Sequence, residues 1–231
     1  MVEAEPEARP YGRRAFLGLV LGGISAYVWA GPASRIVSPV TSAFSQLGGN
    51  LLPSKGWRIY TITGVMPDIV ASDWRLTIDG LVERPGSFSL KDLQKLPQVR
   101  QTSTFHCVTG WTVKDVHWTG VRFQDLLDQV KPAPGAHALR FVSAEEPYVD
   151  SLTIEQALEP HAMLAFGMDH KPLTRPHGAP ARVVIPKMYG YKGVKWLKRI
   201  EVVATQEEGY WEKLGYDQDA WVGNSNHEYL G

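Results

Sequence analysis

The 231-residue chain holds one cysteine, Cys107, so no intramolecular disulfide can staple it. A hydrophobic core must hold the fold unaided. The length suits one well-buried domain, with little left for a second. With 16 prolines and 22 glycines, a loop-rich globular protein with short elements is expected. Lys plus Arg and Asp plus Glu balance at 24 each, so charge points neither to nucleic acid nor to an anionic surface.

The N-terminus constrains where the chain goes. After a polar start, Arg13-Arg14-Ala15-Phe16-Leu17 resembles a twin-arginine export signal. It opens an uncharged, glycine-rich stretch from Ala15 to Ser34. That stretch is either cleaved after Ala30 or kept as a membrane anchor, being close to the roughly 20 residues a span requires. Arg13 and Arg14 would then face the cytoplasm. The expected organisation is a signal or anchor over 1–35, a Ser/Gly/Pro-rich linker over 36–55 and a folded catalytic domain over 56–231. Exported proteins normally carry cysteines in pairs, so an unpaired one calls for another role.

Within the domain, strands are expected at Trp74–Ile78, Val99–His106, Leu139–Val142, Met163–Phe166, Arg182–Ile185 and Ile200–Val203, where β-branched and aromatic residues dominate. Ser89 and Asp92 read as a capping box opening a helix that runs to Leu96, and Thr153 with Gln156 opens another. Thr119-Gly120 reads as a turn into a helix over 122–130, with Phe123, Leu126, Leu127 and Val130 on one face. Short helices scattered among strands predict an α+β domain with mixed β-sheets.

Three segments concentrate the chemistry. One is Cys107 with Gly110-Trp111 and the later Trp118-Thr119-Gly120. The second runs from His177-Gly178-Ala179-Pro180 to Arg182 and Pro186. The third is Tyr189-Gly190-Tyr191-Lys192-Gly193-Val194-Lys195-Trp196. A glycine-rich loop flanked by lysines suits a small anion such as a phosphate, because backbone N–H groups can approach it; a solvated basic face would look the same. Cys107 taken alone reads as a buried inert thiol rather than a functional one. His106 is a poor base for it, since adjacent strand residues point to opposite faces. One cysteine and scattered histidines lack zinc spacing.

Together these segments resemble the molybdopterin-binding domain of the sulfite oxidase family, over roughly residues 57–205. The likeness is strongest to small exported bacterial members, among them catalytic subunits that reduce methionine sulfoxide in the periplasm. The resemblance implies a sulfite-oxidase-type fold, molybdenum–molybdopterin as cofactor and oxygen-atom transfer. It places Cys107 as the metal-ligating thiolate. Pterin-binding positions fall on Thr63, Gly64, His177, Arg182, Gly193, Val194 and Lys195, with Lys192 beside them, and another contact loop falls at 143–146. Trp118 is expected in the core; Trp111, Tyr189 and Tyr191 are either core or cavity wall.

Sulfite-oxidising members place arginines soon after the cysteine, but here the stretch is Trp111-Thr112-Val113-Lys114. That favours a sulfoxide or related oxide as substrate over sulfite or another small oxyanion. A non-enzymatic, membrane-anchored electron-transfer subunit of the same fold is the remaining alternative. With no Cys-x-x-Cys-His haem motif, electrons are expected to pass through a separate redox partner, such as a membrane haem protein. Nucleic acid is not an expected partner, and membrane contact would run through residues 15–34. The tail from Gly209 to Tyr229 either wraps the domain or forms a docking face.

Overall fold

The computed structural model describes residues 56–226. The twin-arginine motif, the anchor or cleavage segment and the linker lie outside the described residues. Among the described residues no helix is long and apolar enough to cross a membrane.

Two five-stranded sheets form the domain. The first comprises β1 (Arg75–Gly80), β2 (Gly86–Ser89), β5 (Ala138–Ser143), β6 (Val149–Thr153) and β10 (Leu197–Val203), in the order β2-β1-β10-β5-β6. Only its β1–β10 pair is parallel. The second comprises β3 (Val99–His106), β4 (Thr112–Arg122), β7 (Met163–Met168) and β8 (Lys171–Pro172) in that order, with β9 (Arg182–Val184) also pairing with β7. Short helices α1 (Leu90–Leu93), α2 (Phe123–Val130) and α3 (Ile154–Ala157) connect them. The expected α+β class with mixed sheets is what the chain adopts.

Local chemistry explains the helices. Ser89 and Asp92 exchange both hydrogen bonds of a capping box at α1, as do Thr153 and Gln156 at α3. α1 is a single turn and stops short of Leu96. In α2, Phe123, Leu126, Leu127 and Val130 are all buried, each side chain contributing about 1.5–3 kcal/mol by leaving water.

The expected turn at Thr119-Gly120 is not a turn. Both residues sit inside β4, which runs eleven residues to Arg122. A Cβ on Gly120 would stand 2.0 Å from the Leu164 carbonyl oxygen of β7. The glycine is there for close strand approach, not for chain reversal.

Two buried clusters result. The larger joins the first sheet to α2 and to the 181–197 region; the smaller gathers Trp57, Val113, Val116, Trp118, Met163 and Val184. Trp118 is core, as expected. The tail wraps the domain: Tyr210 N–H donates to the Val149 carbonyl, Tyr189 N–H to that of Ala220, and Val222 N–H to that of Lys187. It thereby clamps the 187–192 segment from outside.

Candidate active site

Cys107 begins the turn that follows β3. Its N–H donates to the Trp111 carbonyl at 2.9 Å, and its own carbonyl accepts from Gly110 N–H at 3.0 Å. The thiol is half-buried, with Sγ 3.2 Å from Thr109 Oγ1. Just before it the β3–β4 register shifts between Ser103 and Phe105, so that Lys114 and Asp115 of β4 bulge opposite Thr104. Asp115 takes φ 54° to allow this. Such a bulge re-aims a strand end, and here that end carries the cysteine.

The second segment supplies Arg182 and His177. Arg182 opens β9, is 4% exposed and lies over the rings of Phe105 and Trp118 at 5.9 and 5.4 Å. Among the described residues its guanidinium donates to backbone carbonyls alone, those of Val183, His177 and Gly193, at 3.3–3.4 Å. Burial draws its pKa down to about 10. His177 packs edge-on against Trp57 at 4.9 Å, and its Nδ1 is buried with no hydrogen-bond partner. Burial first, then Arg182 and Lys195, hold its pKa down at about 4. It is therefore neutral near pH 7.

The third segment supplies Lys195. Its Nζ donates to the Tyr60 carbonyl at 2.6 Å and sits 4.1 Å from the Trp196 ring centroid. Burial and the Arg182 charge bring its pKa down to about 7, against a smaller opposing pull from Glu145. Gly178, at φ 98°, makes room for this lysine: a Cβ there would stand 2.9 Å from Lys195 Cβ. Gly193 offers its carbonyl to Arg182, and Val194 is fully buried beneath the loop.

Lys192, expected beside these cations, points elsewhere. Its ammonium lies 2.5 Å from Asp150 and 2.6 Å from Glu212, with every side chain involved 1% exposed. Those carboxylates hold its pKa up despite burial. Its charge is already matched, leaving none to offer an anion. Tyr191 belongs with it in the interior, donating to the Asp217 carbonyl and accepting from Asn226, whereas Tyr189, whose hydroxyl accepts from Gly223 N–H, also walls a cleft beside Arg182.

Residues 57–67 tie the segments together. The Trp57 ring meets Phe105 at 4.8 Å and Trp111 at 6.2 Å, and Tyr60 meets Trp111 at 6.3 Å. Thr63 does lie against the 143–146 loop. Glu145 accepts from Ile62 N–H at 2.7 Å, from Thr63 N–H at 3.2 Å and from Thr63 Oγ1 at 3.1 Å. Gly64 is exposed, at φ 76°. The roles of Trp57 and of the Tyr60 carbonyl were not legible in the sequence. A backbone acceptor leaves no residue signature, though the aromatic content near Thr61 is a usable hint.

A narrow cleft lies against Arg182, lined also by Phe105, Trp118, Tyr189, Gly190 and Gly193; Cys107, His177 and Lys195 lie outside its lining. Lys195 and His177 lie close enough to Arg182 for the charges to act on one another, so the three gather two basic groups and an unsatisfied ring nitrogen with no carboxylate salt bridge to any of them among the described residues. A buried cation is costly without a counter-charge. This donor set fits the phosphate-bearing pterin that the sequence resemblance implies. No group of three or more His, Cys, Asp or Glu side chains suited to a metal occurs among the described residues. A metal here would rest on the Cys107 sulfur together with ligands from its own cofactor.

Comparisons with known proteins agree. The model of the oxidoreductase molybdopterin binding domain matches residues 63–211. The uncharacterized oxidoreductase YuiH of Bacillus subtilis is 36% identical over 152 residues, 64% of this chain and 75% of that protein. The protein-methionine-sulfoxide reductase catalytic subunit MsrP of Pseudomonas syringae is 32% identical over 170 residues, 66% of this chain and 50% of MsrP. MsrP of Campylobacter jejuni is 29% identical, over 67% of this chain and 57% of its own. The sulfane dehydrogenase SoxCD of Paracoccus pantotrophus superposes with a TM-score of 0.58 at 26% identity, covering 62% of this chain and 41% of that one. The chain therefore spans about half the length of the MsrP proteins it matches.

Proposed function

Since the chain belongs to the sulfite oxidase family, with its molybdopterin-binding domain and molybdenum–molybdopterin cofactor, we propose that this oxidoreductase reduces a sulfoxide or related oxide, with the Cys107 thiolate as the protein's ligand to molybdenum. The bound cofactor supplies oxygen-atom transfer coupled to a two-electron change. This chain's own residues do the holding. Arg182 and Lys195 present charged donors to the phosphate, and that counter-charge relieves their desolvation. His177, neutral and with Nδ1 unsatisfied, offers a hydrogen bond to the organic part. Coordination keeps the Cys107 sulfur deprotonated without a separate base.

The observation that carries this reading is buried Arg182 with half-buried Lys195 beside it, neither in an ion pair with a carboxylate among the described residues, joined through Tyr60 and Trp111 to the turn bearing Cys107. The choice of substrate rests on the surroundings of Cys107. Trp111, Thr109 and Phe105 are uncharged and the stretch Trp111-Thr112-Val113-Lys114 after the cysteine holds no arginine, which suits a neutral oxide better than an oxyanion. The MsrP relatives point the same way. Oxidation of a reduced sulfur compound or of sulfite is the second reading, favoured by the likeness to SoxCD. Export by the twin-arginine route to the periplasm, and electron exchange with a separate partner such as a membrane haem protein, complete the proposal on the strength of the N-terminal motif and the absence of a haem motif in the sequence.

Assays in both directions with artificial electron carriers decide the direction. Sulfoxide-dependent oxidation of a reduced dye is expected; dye reduction by sulfite alone would favour the second reading. Cys107→Ser abolishes either activity while the unfolding midpoint changes little. Full activity in that variant would remove Cys107 from the mechanism.

A further inference from the structure

Residues 57–69 form no strand and, among the described residues, make no backbone–backbone hydrogen bond to the rest of the domain. Three charged side chains from separate parts of the chain hold this segment instead. Lys195 takes the Tyr60 carbonyl. Glu145, 5% exposed, takes Ile62 N–H and both donors of Thr63. Arg175 takes the Met66 carbonyl at 2.5 Å and the Pro67 carbonyl at 3.0 Å. The inner side of the segment meets residues of the candidate site: Trp57 packs on His177 and Phe105, and Tyr60 packs on Trp111. Its outer side is open, with Thr63, Gly64 and Val65 exposed.

We propose that residues 57–67 are a strap seated across the cofactor site by Glu145 and Arg175, and that the cofactor leaves by parting this strap. The inference rests on the reading of the site as a molybdopterin site. Glu145 and Arg175 are positioning residues. Trp57 anchors one end in the core; beyond it a segment with no ladder of its own opens at low cost, so the seating of 60–67 depends on these latches. Of the three, Lys195 also belongs to the anion-binding set, whereas Arg175 acts on backbone alone and Glu145 on backbone and the Thr63 hydroxyl. Glu145 gathers three donors on one carboxylate oxygen, the stronger kind of hydrogen bond, and is the principal latch.

The test compares cofactor-loaded wild type, Glu145→Ala, Glu145→Gln and Arg175→Met by two readouts. One is amide hydrogen exchange over 57–67; the other is the rate at which bound pterin appears in solution, followed by fluorescence. Glu145→Ala should speed both by about ten- to a hundredfold, the size expected for lost hydrogen bonds to a charged group. Arg175→Met should speed both by about threefold, its latch being exposed. Glu145→Gln keeps a carbonyl acceptor and should restore most of the wild-type behaviour. Pterin release at the wild-type rate in Glu145→Ala and Arg175→Met would overturn the strap, and so would faster strap exchange with unchanged release. Glu145→Gln losing pterin as fast as Glu145→Ala would give the carboxylate a direct charge role and overturn positioning. Wild type that carries no pterin would overturn the reading of the site itself, and the strap with it.

Discussion

Lys192 and Lys195 lie on one glycine-rich loop, the first fully buried and the second half-buried, yet they face opposite circumstances. Lys192 sits between Asp150 and Glu212 and is held protonated. Lys195 has a carbonyl and an indole ring for company, with Arg182 nearby, and its pKa falls to about 7. The first lysine completes an internal cluster that fastens the loop to β6 and to the tail. The second is a cation left without its anion. A protein tolerates such a charge where a ligand brings the missing counterpart, so the contrast separates the part of the loop that builds the fold from the part that binds.

The contrast can be broken from either side. Lys192→Met should give the largest effect, because it strands two buried carboxyls; a loss of about 3–5 kcal/mol in unfolding free energy is expected from urea titration. A loss below about 1 kcal/mol would mean the cluster is not structural. Lys195→Met should leave the cofactor-free protein as stable as wild type, since it removes a desolvated charge. In the loaded protein it should raise the pterin release rate by about ten- to a hundredfold, as one charged hydrogen bond is lost. The reverse pattern, an unstable Lys195 variant or a Lys192 variant that is stable but loses pterin, would exchange the two roles.

The smallest effect tests His177. Its folded-state pKa of about 4 lies below the ordinary 6.5, so the unfolded chain takes up its proton first as pH falls. The cofactor-free protein should therefore lose stability between pH 6.5 and 4 through this group, by about 1 kcal/mol on going from pH 6.5 to 5.5. His177→Asn should lack that increment in paired urea titrations at the two values. Equal losses in both proteins would show that the imidazole is not held neutral by its surroundings.

The sequence carried the class of fold, because capping boxes and β-branched runs are local signals; both capping boxes form as read. It misled at Thr119-Gly120, where a glycine that admits β7 looks like a glycine that turns the chain. The motifs picked out Cys107, His177, Arg182 and Lys195 as a set. Lys192 could not be told from Lys195, since the difference lies in carboxylates supplied by β6 and by the tail. Thr63 and the 143–146 loop were each legible; that Glu145 joins them was not, because half of that contact is backbone. The tail was ambiguous for the same reason: its bonds to Val149 and Lys187 are main-chain bonds.

The central claim is that one sulfur of this chain ligates the metal of a cofactor whose phosphate the Arg182–Lys195 side receives. X-ray absorption at the molybdenum edge, on wild type and Cys107→Ser purified from a molybdate-competent host, tests it most directly. The account predicts molybdenum and pterin in both proteins, with one sulfur neighbour fewer in the variant. An unchanged sulfur count, or wild-type protein free of molybdenum, would contradict it.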